Sequence, residues 1–309
     1  MSSRARREQI HAPVEVSEEL FAPVSPGIEL CYQTFGDPSD EPMVLVMGLG
    51  GPMTWWDPEL CEMLARAGFY VVRFDNRDIG RSSQAKGRVT RGTLLRAFAG
   101  ARVRPPYTLD DMAADTFGLM DHLGMESAHL VGVSMGGMIV QTMTIAQPRR
   151  VRSLTSIMST TGKRTVGWQS PSLLPTLLSP RQTREDYING SVKVWKLIAS
   201  PGFPVDDEEV RSRAADTYDR GVPRSGVLRQ MIAIVTQPNR SVRLHSLNVP
   251  TLVIHGLADK MVHVSGGRAT AAAVPGSELL LIDGMGHDLP HELFESVTEA
   301  IARNAARAH

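Results

Sequence analysis

Apolar residues along this chain fall into two alternating patterns. The first is a set of short continuous runs: Met43-Val-Leu-Val-Met47, Phe69-Tyr-Val-Val-Arg-Phe74, Ala128-His-Leu-Val-Gly-Val133, Val151 to Met158, Thr251-Leu-Val-Ile-His255 and Glu278-Leu-Leu-Leu-Ile282. Runs of this kind predict strands buried on both faces. Ile28 to Phe35 alternates at period two, and Gly36-Asp37-Pro38 closes it as a turn. The second pattern has helical spacing. It covers Trp56 to Arg66, Leu109 to Leu123 (apolar at Met112, Phe117, Met120 and Leu123), Met135 to Ala146, and Pro290 to Ala306. Strands alternating with helices predict a mostly parallel sheet covered on both faces.

The alternation stops between about Thr160 and Ser246. Prolines are frequent there (Pro171, Pro175, Pro180, Pro201, Pro204, Pro223, Pro238), strand-like runs are few, and helical pieces such as Ile188 to Ile198 and Val210 to Asp219 replace them. A helical cap inserted between two core strands accounts for this. The expected organisation is a tail and lead-in over 1–27, a first core part over 28–159, the cap over 160–246 and a second core part over 247–309.

Composition narrows the function classes. The 309 residues are 42% apolar and 21% charged, with Lys+Arg and Asp+Glu balanced at 33 each. A neutral chain carries no electrostatic footprint for nucleic acid or an anionic membrane. Arg4, Arg6 and Arg7 cluster at the N-terminus and read as a solvated tail; no apolar signal region follows them. No apolar run reaches the roughly 18 residues of a membrane span. The expectation is a soluble, cytoplasmic protein. Its two cysteines, Cys31 and Cys61, sit in a strand-like and a helical pattern, and read as small buried apolar residues.

The chemistry concentrates at strand ends. Gly132-Val133-Ser134-Met135-Gly136 follows an apolar strand and opens an apolar helix. That setting exposes a serine hydroxyl above a sheet and puts helix N-terminal N–H groups beside it. A serine needs a base, and the base an orienting acid. His287 follows the last strand, directly after flexible Gly284 and Gly286, and is the expected base; His255, at a strand end, reads as a buried structural histidine. Asp259 follows the preceding strand and is the expected acid, with Asp288 and Asp283 as rivals. His287 and His291 are four apart, yet no third residue completes a metal set, so no metal or cofactor is expected. Two N–H donors should hold the oxyanion: Met135, and Leu49 in the loop Met47-Gly48-Leu49-Gly50-Gly51, with Gly50 as the alternative. Gly48, Trp55 and, from the cap, Trp195 are the candidate substrate contacts.

Together these segments resemble the α/β-hydrolase fold family, in particular bacterial esterase-like members, among them anthracycline methylesterases. The matching stretches are Val46 to Gly50, Phe74-Asp-Asn-Arg-Asp-Ile-Gly-Arg-Ser82, Gly132 to Gly137, Pro250 to Gly256 with Asp259, and Asp283-Gly-Met-Gly-His-Asp-Leu-Pro290. They occur in the family's order from about Ile28 onward. One departure is Met47-Gly48 where many members carry His-Gly. The resemblance implies a Ser134-His287-Asp259 triad and a lid over 160–246, and leaves the substrate open. Met47, Met53, Met135 and Met285 near the motifs, with Trp55 and Trp56, suggest an apolar pocket. The expected small-molecule substrate is an acyl ester of small to medium size or a lactone, for instance an acyl homoserine lactone. A cofactor-free perhydrolase would use the same triad. From another class, a non-catalytic ligand-binding protein on this fold would retain the residues without turnover.

Overall fold

A computed structural model describes residues 13–173 and 183–308. Arg4, Arg6 and Arg7, and within the expected cap Pro175 and Pro180, lie outside the described residues. Eight strands form one sheet: β1 (Leu20–Ser25), β2 (Ile28–Phe35), β3 (Glu41–Val46), β4 (Phe69–Phe74), β5 (Ala128–Val133), β6 (Val151–Ile157), β7 (Thr251–Gly256) and β8 (Glu278–Ile282). Their order is β1-β2-β4-β3-β5-β6-β7-β8. The pairings β1–β2 and β2–β4 are antiparallel, and the others are parallel.

Helices cover both faces, and alternation within a strand explains why. Val44 and Val46 of β3 join one core with α3 (Leu109–His122) and α4 (Met135–Ala146), through Met112, Phe117, Met138 and Met143. Met43 and Leu45 join the opposite core with α1 (Pro58–Arg66) and α10 (Phe294–Ala305), through Leu60, Leu64, Val297 and Ile301. Each fully buried side chain of this kind contributes about 2 kcal/mol. A strand whose two faces are both buried has no polar face, so its sequence reads as a continuous apolar run.

Helix ends follow local chemistry. α1 begins at Pro58 rather than Trp56, because the Asp57 carboxylate caps it by accepting from Glu59 N–H. Thr108 and Asp111 form a capping box at the start of α3. The last helical segment opens with a single 3₁₀ turn, His291–Leu293, before α10. Leu20–Ser25, inside the expected lead-in, forms the edge strand β1. α2 (Arg91–Phe98) and α9 (Ser265–Ala273) also escaped the periodicity reading.

Between β6 and β7 lie α5 (Arg184–Ile198), α6 (Asp207–Gly221), α7 (Arg224–Thr236) and the short α8 (Ser241–Leu244). α5 packs on α6, and α7 packs on α2. Two arginines tie this layer to the loop after β4. Arg220 of α6 pairs with buried Asp75 at 2.7 Å and with Glu19 at 2.7 Å. Arg229 of α7 pairs with buried Asp78 at 2.6 Å. Among the described residues, no helix is long and apolar enough to cross a membrane.

Candidate active site

The sheet changes its winding direction between β3 and β5. Chain order runs from β3 outward to β4 on one side, and from β5 through β8 on the other. Ligand sites of open α/β sheets form outside the strand ends at such a point. Val46 of β3 lies beside Gly132 of β5, so the two loops that follow meet directly.

Ser134 occupies the sharp turn between β5 and α4, at φ 55° and ψ −115°. A non-glycine residue there stores strain of order 1–3 kcal/mol. Its N–H donates to Ile157 O at 2.8 Å, and Ser159 Oγ donates to its carbonyl at 2.7 Å. Glycines make the turn sterically feasible. A Cβ at Gly132 would meet Gly136 O at 2.3 Å, and a Cβ at Gly136 would meet Val46 O at 1.9 Å. Ser134 stands at the N-cap of α4, yet its side chain makes no cap bond. Its Oγ instead lies 3.1 Å from His287 Nε2.

His287 lies in the loop after β8. Its Nδ1–H donates to Asp259 Oδ2 at 2.8 Å, which leaves Nε2 as the acceptor for the Ser134 hydroxyl. Asp259, after β7, is buried, and its Oδ1 accepts from the N–H groups of Met261 and Val262 at 2.8 and 2.9 Å. Burial alone would push its carboxyl up. The His287 charge and hydrogen bonds from His255 and His287 outweigh burial and hold it at about 2.

The rival groups are engaged elsewhere. Asp288 is buried and accepts from Ser200 Oγ at 2.6 Å, and burial raises its carboxyl. Asp283 is exposed. His255 is fully buried; its Nε2–H donates to Val262 O at 2.8 Å and lies 3.4 Å from Asp259 Oδ2. His291 sits at the surface, 2.8 Å from Glu59. Cys31 and Cys61 are buried, and burial pushes both thiols up to about 12. Among the described residues, no group of three or more His, Cys, Asp or Glu is placed to hold a metal ion.

The loop after β3 passes close to the serine. A Cβ at Gly48 would lie 3.2 Å from Ser134 Cβ. Gly50, the alternative oxyanion donor, is occupied: its N–H donates to Gln230 Oε1 of α7 at 2.9 Å. Gln230 is fully buried, and its Nε2 donates to Arg77 O at 3.0 Å. Asn76 Nδ2 donates to Met47 O at 2.9 Å and anchors the start of the same loop. Sequence reasoning missed Gln230, Asn76 and Ser200, whose partners are all remote in the chain.

A cavity of about 1460 Å³ opens onto Ser134 and His287. Gly48, Leu49, Trp55 and Trp195 line it. Trp55 Nε1 donates to Thr217 Oγ1 of α6 at 2.9 Å, which joins the loop after β3 to the helical layer. The histidine loop is joined to that layer too: His287 N–H donates to Ile198 O at 2.7 Å, and Gly286 N–H to Ser200 Oγ at 2.8 Å.

Comparison with known proteins places these features in context. A family model described as alpha/beta hydrolase fold matches residues 41–292. Rhodomycin D methylesterase DnrP of Streptomyces peucetius is 28% identical over 307 residues, covering 91% of this chain and 96% of that protein. Among solved structures, the enol-lactonase from Burkholderia xenovorans LB400 superposes with a TM-score of 0.72 at 23% identity, covering 93% of this chain and 100% of its own. Esterase RhEst1 from Rhodococcus sp. ECU1013 gives a TM-score of 0.70 at 19% identity, with 94% and 98% coverage.

Proposed function

The chain belongs to the α/β-hydrolase fold family, and on that footing we propose that it is a serine hydrolase that cleaves carboxylic esters, lactones included, with Ser134 as nucleophile, His287 as base and Asp259 as orienting acid. The observation that carries this reading is the unbroken hydrogen-bonded series Asp259 Oδ2–His287–Ser134 Oγ, at 2.8 and 3.1 Å, with the serine hydroxyl turned to the base instead of capping its helix. The methylesterase relative supports an ester as the scissile group.

The reaction has two halves. His287 Nε2 takes the Ser134 proton as Oγ attacks the acyl carbon. Asp259 holds the imidazole in the Nδ1–H tautomer and stabilises the imidazolium. The N–H groups of Met135 and Leu49 receive the oxyanion. His287 then protonates the leaving alkoxide, and water repeats the sequence on the acyl-enzyme. Gly48, Trp55 and Trp195 flank the acyl or alcohol part. Residues 160–246 act as the lid. The cavity exceeds the ~300–1,000 Å³ usual for drug-sized ligands, which favours a bulky ester over a simple acetate.

A fluorophosphonate probe with peptide mapping tests the reading. Ser134 should label rapidly in the wild type, and labelling should be lost in His287→Ala. Ester turnover should fall by on the order of 10⁴-fold or more in Ser134→Ala. A folded protein that neither labels nor cleaves any ester would move a non-catalytic binding role to the front.

A further inference from the structure

The whole chain is electrically neutral, yet the cavity wall is not. Six cationic side chains line it (Arg91, Arg102, Lys163, Arg164, Arg213 and Arg224) against one carboxylate, Asp288. Asp288 is already bound by Ser200 Oγ. Five of the cations are exposed to solvent and bias the field at the mouth.

Arg213, on α6, differs from the other five. It is half-buried, and its guanidinium carbon sits over Trp195, 4.2 Å from the ring centroid. Among the described residues, no carboxylate lies within ion-pair distance of it, and the side chain donates no hydrogen bond. Glu209, Asp288 and Asp57 act on it only through space, and burial disfavours its charged form. Every other half-buried or buried arginine tied to the helical layer has a partner: Arg220 has Asp75, Arg229 has Asp78, and Arg240 has Gln141 and Thr160. A desolvated guanidinium is costly unless an anion receives it, and its planar fork suits a carboxylate. The contact with Trp195 restrains the guanidinium at the cavity wall, which both residues line. The same cavity holds Ser134 and His287, and Asp288, the residue after His287, is near enough to act on Arg213.

We propose that the substrate is an anionic ester, carrying a carboxylate remote from the scissile bond, and that Arg213, held over Trp195, receives that carboxylate. The proposal rests on the hydrolase reading for the word ester, but the anion site stands on its own geometry. The five exposed cations draw the substrate in, and Arg213 places it.

Monoethyl adipate and ethyl hexanoate share an acyl length and differ in the terminal carboxylate, so they isolate the charge. Titrimetric hydrolysis by the wild type should show kcat/KM at least tenfold higher for monoethyl adipate, mainly through KM, with the difference shrinking as salt is raised. Arg213→Gln should lower kcat/KM for the charged ester at least tenfold more than for the neutral one, and Arg213→Lys should recover part of the preference. Calorimetric binding of the same esters to Ser134→Ala should favour monoethyl adipate tenfold, and Arg213→Gln in that background should abolish the difference. A wild type that prefers the neutral ester, equal binding of the two, or an Arg213→Gln variant that weakens both alike would overturn the site. If the wild type hydrolysed neither ester but Ser134→Ala kept the Arg213-dependent binding preference, the hydrolase reading would fall and the carboxylate site would stand.

Discussion

Asp259 shows what a single residue contributes here. Its carboxylate is buried, holds two backbone N–H groups, and lies between two histidines. Folding lowers it from its ordinary value of 3.8 to about 2. Folding therefore favours the ionised form: the stabilisation is complete above the ordinary value and is lost as pH falls toward 2. Between pH 5 and pH 3 this one group should remove roughly 1 kcal/mol from the unfolding free energy. Denaturant titrations of the wild type and Asp259→Asn should show that slope in the first and a flatter acid limb in the second. Ser134, Asp259 and His287 were legible as candidates because each follows an apolar run and has small or flexible neighbours. Arg213 and Gln230 were not. Gln230 bonds Gly50 from 180 positions away, and no local pattern announces such a partner. Arg213 carries its meaning in the lack of a partner among the described residues, which only the folded chain reveals.

At the scale of elements, the turn from β5 into α4 concentrates the constraints. Gly136 lets the start of α4 lie against β3, and a Cβ there would stand 1.9 Å from Val46 O. Gly136→Ala should cost about 3 kcal/mol in chemical unfolding and displace the loop that carries Leu49. Gly92 on α2 is the control: a Cβ there meets nothing closer than Thr90 Oγ1 at 3.7 Å, so Gly92→Ala should be neutral or stabilise by up to about 1 kcal/mol. Strands β3 to β7 were readable because two-sided burial erases the polar face, whereas β8, at the sheet edge with Leu279 exposed, was readable from its apolar run alone. β1 was not, since its Leu20 and Phe21 are exposed and its pattern is weak. α6 was read within three residues of its ends, as Val210 to Asp219, but α7 was missed for another reason: its buried face carries Arg229 and Gln230, polar residues satisfied by the core.

Over the whole molecule, the helical layer and the sheet are joined by buried charge. Asp75 and Asp78 are fully buried and face Arg220 and Arg229. Removing one partner of such a pair leaves an uncompensated charge and costs about 3–5 kcal/mol. Arg220→Met should lose an amount in that range by denaturant unfolding and lower esterase activity with it, since Asp75 also holds Met53 N–H beyond the loop that carries Leu49. Arg184→Ala, which breaks the exposed pair with Asp219 in the same layer, should leave the midpoint where it was. An Arg184 variant as damaging as the Arg220 variant would mean that the layer is held by something other than these buried pairs.

The bond from Gln230 to Gly50 has a consequence for anyone recombining such proteins. A helical layer grafted from a relative without that glutamine would leave two groups unanswered, however well the helices packed: Arg77 C=O, and Gly50 N–H, two residues from the Gly48 that abuts the serine. The helical layer and the loops beneath it are heritable only as a matched set, and the junctions of a working chimera must carry Arg220, Arg229 and Gln230 across with the segment from Gly48 to Asp78.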